Sequence, residues 1–327
     1  MIFRTELKLK HSVVPISHEK PIFLLGSCFS DNIGSILENH KFQVTHNPFG
    51  ITYNPISLAQ QLKRMLSQRA FIDSDLFNDQ GVFKSFELHS SQSSMDQEKL
   101  LSALNLKLKE SHDRLIHTSH LFITLGTAWV YELKSSGQIV NNCHKIPSAK
   151  FNKRLLTSEE INSALDEIIK MIKEVNPAIQ IIFTVSPVRH IRDGIENNSL
   201  SKSILRMAIH QMCENHKCLY FPASEILLDD LRDYRFYKSD LVHPNKMAVK
   251  YIWEKLSDVF IDQKTSKLIG ALKSLRKALG HKAFHPNSVA YNSFIHNTID
   301  QAKELQKRHS AINLDEEIKL LSKKLSE

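Results

Sequence analysis

The sequence predicts an α/β fold, a parallel sheet covered by helices on both faces, followed by a helical C-terminal extension. Three observations carry this. Short apolar runs, Pro21–Leu25 (PIFLL), His120–Leu125 (HLFITL) and Ile181–Val185 (IIFTV), read as strands buried on both faces. Between them lie longer stretches of helical periodicity, the alternation expected of βαβ units. Beyond residue 260 the texture turns Lys-, Leu- and Glu-rich with helical periodicity.

Taken in order, Pro21–Leu25 ends abruptly at Gly26-Ser27-Cys28, and a helix follows from Ser30 to His40 with Ile33, Ile36 and Leu37 on one face. Phe42–Thr45 is a short strand candidate leading into the turn-rich Asn47-Pro48-Phe49-Gly50. Asn54-Pro55 starts a helix with a buried stripe of Ile56, Leu58, Leu62 and Leu66. Residues 69–96 are polar and irregular. A helix from Asp96 to Ile116 precedes the central strand at His120–Leu125, and Val130–Leu133 with Gln138–Val140 forms a hairpin around Ser135-Ser136-Gly137. Ser158–Asn176 is strongly amphipathic and feeds Ile181–Val185. Leu200–His216 is helical, Cys218–Phe221 is the last strand, and Asn245–Phe260 closes the domain. The expected division is therefore an α/β domain over 1–260 and a helical extension over 261–327, broken near Gly280 and at Pro286-Asn287.

Composition bounds the function. With 327 residues and 42% hydrophobic content, the chain has ample material for a core. Lys and Arg exceed acidic residues by 43 − 35 = 8, a mild excess dispersed along the chain. That tolerates an anionic ligand but does not point to nucleic acid. No run approaches the ~18 apolar residues of a membrane span, and the N-terminus alternates charge and hydrophobe unlike a signal peptide. Four scattered cysteines (Cys28, Cys143, Cys213, Cys218) make no disulfide framework, so the expected location is a reducing cytoplasm. The oligomeric state is not encoded in any recognisable pattern.

Parallel sheets place ligands at the carboxyl ends of their strands. Gly26-Ser27-Cys28-Phe29-Ser30 sits where the first strand turns into a helix, whose free N–H groups can stabilise a thiolate or an oxyanion. The alternative is structural, with Ser30 or Asp31 capping the helix and Cys28 packed as a small hydrophobe. Near the far end, Asp240-Leu241-Val242-His243-Pro244 puts a carboxylate three residues before an imidazole that can serve as general base, or is a capping Asp beside a solvent-exposed His. Arg189 and His190 follow the third long strand and can hold a phosphate or carboxylate, or can simply belong to a solvated basic loop. Cys143-His144 lacks a second ligand pair at zinc spacing, so no metal is expected, and no cofactor is expected.

Together, the two motifs resemble the SGNH (GDSL-type) hydrolases and, within them, the GSCFA family, named for Gly-Ser-Cys-Phe-Ala. The fifth position is Ser30 here. The resemblance continues through NPFGITYNP (Asn47–Pro55), LGTAWVYE (Leu125–Glu132), NCHKIP (Asn142–Pro147), SPVRH (Ser186–His190), YFPASE (Tyr220–Glu225) and RDYRFYKSDLVHP (Arg232–Pro244). It implies a three-layer, flavodoxin-like SGNH hydrolase fold and a nucleophile after the first strand, served by Asp240 and His243. Aligned with Gly-Asp-Ser-Leu, the nucleophile position falls on Cys28, with Ser27 as competitor. The resemblance also assigns oxyanion donors to the nucleophile N–H and to Gly50, although Gly50 can equally supply a turn of positive φ. At the block III asparagine position the chain has Ala128, which leaves Thr127, Asn47, Asn54 or Asn142 as candidate replacements.

The expected activity is hydrolysis of an ester, such as that of an acylated carbohydrate. The alternatives are an acyltransferase using an acyl-thioester donor near the SPVRH loop, and an inactive SGNH domain that binds a glycan. The missing asparagine favours the last; the Asp240/His243 pair opposes it.

Overall fold

The computed structural model describes residues 4–281, 283–286 and 288–325. The chain runs through β1 (Ile22–Gly26), α1 (Cys28–Asn39), β2 (Val44–His46) and α2 (Pro55–Ser67). A small hairpin, β3 (Phe77–Asp79) and β4 (Val82–Lys84), precedes α3 (Gln97–Ile116) and the central β5 (His120–Leu125). Three short strands follow, β6 (Trp129–Leu133), β7 (Ile139–Val140) and β8 (Phe151–Leu155), then α4 (Ser158–Val175), β9 (Gln180–Val185), α5 (Ile195–His216) and β10 (Leu219–Tyr220). A short helix α6 (Ala223–Glu225) runs into a π-helical turn (Ile226–Leu231), and α7 (Lys246–Phe260) completes the domain. The tail consists of α8 (Gln263–Leu279), α9 (Val289–Arg308) and α10 (Asp315–Lys323).

The central sheet has the spatial order β10-β9-β5-β1-β2, with every pairing parallel. Counting only its own strands, this is the flavodoxin-like order 2-1-3-4-5. Strand side chains alternate between faces. Ile22 and Leu24 pack with Phe29, Ile33 and Leu37 of α1 and with Ile252, Trp253 and Leu256 of α7. Phe23 and Leu25 pack on the other side with the stripes of α2, α3, α4 and α5. Burial on both faces explains why these strands read as unbroken apolar runs. Order 2-1-3 also places the switch of winding direction between β1 and β5, so their carboxyl ends frame the crevice where such sheets bind ligands.

The hairpin expected at Val130–Val140 forms as β6 and β7, with Tyr131 opposite Val140. Two elements escaped expectation. β8 (FNKRL) pairs with β6 as a half-exposed strand, and β3 with β4 forms a two-stranded ribbon. Neither carries a continuous apolar run.

The tail helices build their own apolar cluster from Leu268, Leu272, Leu275, Ile295, Ile299 and Leu321, while Ile269 reaches the sheet-face core under α1 and α7. A Lys41–Glu317 ion pair of 2.7 Å ties α10 to the loop before β2. The groove between them is lined by Pro21, Phe42, Val44, Asn313 and Asp315. That is the amino-terminal edge of the sheet, opposite the carboxyl ends of β1 and β5. Gly280 follows α8 directly as expected, and Asn287 lies outside the described residues. Among the described residues, no helix is long and apolar enough to cross a membrane.

Candidate active site

The turn after β1 is dictated by Gly26. Its φ of +128° belongs to the region that favours glycine, and a Cβ there would lie 2.0 Å from the Thr124 carbonyl oxygen of β5. The chain can therefore leave the sheet edge against its neighbour and rise at once into α1. Ser27 is the N-cap. Its hydroxyl accepts from the Phe29 N–H at 3.2 Å and donates to Ser186 Oγ at 2.9 Å, and the residue is fully buried. Ser30, in the motif's fifth position, donates to Thr124 Oγ1 at 2.8 Å and ties the helix to β5. The cap is thus Ser27, neither Ser30 nor Asp31.

Cys28 opens α1 as a free, partly exposed cysteine. Burial pushes its thiol above the ordinary value and Asp31 adds to this, while Lys238 and Lys202 oppose both. The resting sulfur is therefore protonated at neutral pH and needs a base before it can attack.

The loop before α7 carries the Asp240–His243 pair. Asp240 Oδ1 accepts from the N–H groups of Val242 and His243, both at 2.9 Å, and Oδ2 lies 2.8 Å from His243 Nδ1. These three bonds hold the carboxyl down to about 2. A carboxylate only accepts, so Nδ1 donates to it, which leaves Nε2 as the ring nitrogen that can exchange a proton. Leu241 adopts φ +56° and donates to Lys238 O at 2.9 Å, while Lys238 N–H donates to His243 O at 2.8 Å. This tight loop carries both His243 and Lys238, the cation felt by the Cys28 thiol. The Arg189 guanidinium packs 4.2 Å from the Tyr237 ring and donates to the Tyr237 and Tyr234 hydroxyls. Those contacts join the loop after β9 to the dyad's loop.

The residues nominated as oxyanion donors are largely engaged elsewhere. Gly50 N–H does not face an open void; it donates to Asn47 O at 2.8 Å and closes a turn. Its φ of +82° and a would-be Cβ 2.4 Å from His89 Cβ account for the glycine. The Thr127 hydroxyl lies 3.1 Å from Ser201 Oγ and accepts from Trp129 N–H, while its own N–H donates to Tyr53 O. Asn54 caps α2 through Ser57. Asn47 accepts from Gly26 N–H at 2.8 Å and donates to Asp31 at 2.7 Å, so it braces the turn. Asn142 Oδ1 accepts from His144 N–H. His144 is buried, with Nε2 2.7 Å from Ser85 O and its ring edge-on to Phe77 and Phe86, a packing role. Among the described residues, no group of three or more His, Cys, Asp or Glu is arranged to hold a metal.

Three further groups, two of them not singled out in sequence, stand near the Cys28 turn. Lys202 of α5 donates its ammonium to Ser186 O at 2.7 Å, and burial lowers it to about 7. Tyr53 sits within electrostatic reach of Cys28 and holds Gly126 N–H on its carbonyl at 2.8 Å. His190, nominated only as an anion ligand, turns its ring edge-on to Tyr53 with centroids 5.4 Å apart. Its Nε2 is buried without a partner, an arrangement that costs about 1–3 kcal/mol unless something fills it. Nothing in SLSKSIL distinguishes Lys202 from the other basic residues in sequence.

The sequence matches the GSCFA family over residues 21–256 and the GSCFA domain protein C-terminal domain over 272–327. The chain belongs to the GSCFA family. No curated protein matches it by sequence. Among solved structures, a GDSL-like lipase from Parabacteroides merdae is similar at 13% identity, with 80% of this chain and 100% of that one covered and a TM-score of 0.42. An acetyl xylan esterase from Butyrivibrio proteoclasticus is similar at 12% identity, covering 82% and 66%, with a TM-score of 0.38. A carbohydrate esterase family 3 protein from Talaromyces cellulolyticus is similar at 8% identity, covering 78% and 99%, with a TM-score of 0.35.

Proposed function

We propose that this GSCFA protein is an SGNH-type acyl hydrolase that cleaves an ester through Cys28, with His243 as general base and acid and Asp240 as its orienting partner. One observation supports this above the rest. The buried hydroxyl of Ser27 is spent on the helix cap and on Ser186, while the partly exposed Cys28 thiol is left at the start of α1. Of the two nucleophile candidates, Cys28 is the one free to meet a substrate.

The steps balance as follows. His243 Nε2 takes the thiol proton as the sulfur attacks the acyl carbon; a C–S bond forms and the carbonyl π pair moves onto oxygen. Collapse of this intermediate expels the alcohol, which takes the proton from the imidazolium and leaves a thioester. Water then attacks the thioester while giving its proton to His243, and the departing sulfur recovers that proton. Asp240 keeps the ring in the required tautomer and stabilises its charged form. No metal or cofactor enters these steps. An acylated carbohydrate is the first substrate class to assay.

The test is covalent trapping. Exposure to an activated acetate ester, followed by intact-mass measurement and peptide mapping, should place one acetyl group on Cys28. Cys28→Ala should lose the adduct and turnover, and His243→Ala should slow acylation while leaving the fold intact. Full esterase activity in Cys28→Ala refutes the proposal.

A further inference from the structure

We propose that His190 supplies the missing oxyanion donor, its Nε2–H receiving the negative oxygen that develops when Cys28 attacks an acyl carbon. This deepens the proposed acyl chemistry and rests on it.

A thiolate attack needs donors aimed at the developing oxyanion. The Cys28 N–H, first amide of α1, has no intrahelical acceptor and can serve as one. The asparagine that SGNH enzymes use is replaced by Ala128, a buried side chain with nothing to donate. Gly50 N–H, Thr127, Asn47 and Asn54 are all committed to protein partners. Asn142 is bound through its Oδ1 to His144 N–H, and buried polar atoms without partners are where a further donor is to be sought.

His190 Nε2 is such an atom. The ring stands over Gly126, the residue after the central strand β5, whose carboxyl end lies beside that of β1. A Cβ on Gly126 would lie 3.3 Å from Nε2 and 3.2 Å from Tyr53 Cδ1. A side chain at position 126 would therefore crowd the ring nitrogen. Position is fixed from the other side too. The His190 backbone N–H donates to Asn198 Oδ1 at 2.8 Å, and Tyr53 packs against the ring.

The ring is also in the right protonation state. Burial, then the Lys202 charge, hold His190 down to about 4, with His243 adding slightly and Asp193 opposing. A neutral imidazole can present Nε2–H to an oxyanion without competing with His243 for the catalytic proton. A cationic ring beside Lys202 would instead carry an electrostatic cost before any substrate arrived.

The experiment compares two reactions of the same sulfur. Acetylation by p-nitrophenyl acetate passes through an oxyanion, whereas alkylation by iodoacetamide does not. Both are followed by intact mass with the Cys28 peptide mapped, in wild type, His190→Ala and His190→Gln. If His190 is the donor, His190→Ala loses roughly 10²–10³-fold in acetylation rate. Its alkylation rate should stay near wild type, and His190→Gln, which keeps an N–H donor, should recover part of the loss. Equal loss in both reactions would make His190 a support for the thiol and overturn the assignment. An unchanged acetylation rate would overturn it too. A wild-type protein that is never acylated on Cys28 would instead refute the hydrolase reading itself.

Discussion

Replacing Ser27 by alanine separates the two nucleophile candidates. The Ser27 hydroxyl makes two bonds in the fully buried turn, accepting from Phe29 N–H and donating to Ser186 Oγ. Loss of an N-cap oxygen costs about 1 kcal/mol. Loss of the bond to Ser186 adds about 1 kcal/mol, moderated because Ser186 Oγ still accepts from Val188 N–H at 3.3 Å. The total, about 2 kcal/mol, is a minor fraction of the roughly 5–15 kcal/mol expected for a folded domain. Ser27→Ala should therefore unfold at lower urea concentration but remain folded without denaturant and still be acetylated on Cys28. Cys28→Ala, which removes a half-buried thiol with no hydrogen-bond network, should change the urea midpoint little and abolish acetylation. The assays are urea unfolding followed by circular dichroism and intact mass after p-nitrophenyl acetate. If folded Ser27→Ala loses the acetyl adduct while Cys28→Ala retains it, the assignment of the nucleophile is wrong and the cap is the reactive group.

Two further outcomes follow from the site's surroundings. Gly26→Ala forces a side chain against a carbonyl of β5 at 2.0 Å with φ of +128°, so strain of about 1–3 kcal/mol and overpacking of about 1–3 kcal/mol combine; a urea midpoint equal to wild type would show that the turn is not so constrained. Burial holds Lys202 at about 7 against the usual 10.5, so between these values the unfolded chain binds more protons and stability should rise with pH, with the full cost of charging the amine present below about 7. Lys202→Met should lose this rise and gain stability at neutral pH, and parallel urea-midpoint profiles for both proteins from about pH 6.5 to 9.5 would contradict the sign worked out here.

What was legible in the sequence follows from what each signal reports. β1, β5 and β9 are buried on both faces, so they appear as apolar runs that no exposed element mimics. β8 and the β3–β4 ribbon have exposed residues along their length and pair through backbone groups common to every residue type. Their sequences carry little of their geometry. The same division holds at the site. Asp240 and His243 are three residues apart, so a single loop brings them together, and their spacing joined to the Gly-Ser-Cys motif was enough to single them out. Gly50 illustrates the opposite case. The expectation of a free N–H depended on where that amide points, and the turn closed by Asn47 O turns it inward, a fact decided by φ and by the crowding of His89.

Lys202, Tyr53 and His190 come from α5, the loop before α2 and the loop after β9, and meet only because order 2-1-3-4-5 brings β5 between β1 and β9. Chemistry assembled across such distances has no linear signature. Burial depresses both His190 and Lys202, and the Lys202 charge lowers His190 further, effects that no residue carries on its own. The motif SPVRH nonetheless concentrates several of these contacts in one loop. Ser186 anchors both Ser27 and Lys202, Arg189 braces the loop bearing the dyad, and His190 stands over Gly126. Contacts from Ser186, Arg189 and His190 reach different elements around the turn after β1, and the 16 positions from Ser186 to Lys202 are bridged by Ser186 O, so SPVRH serves the architecture of the site.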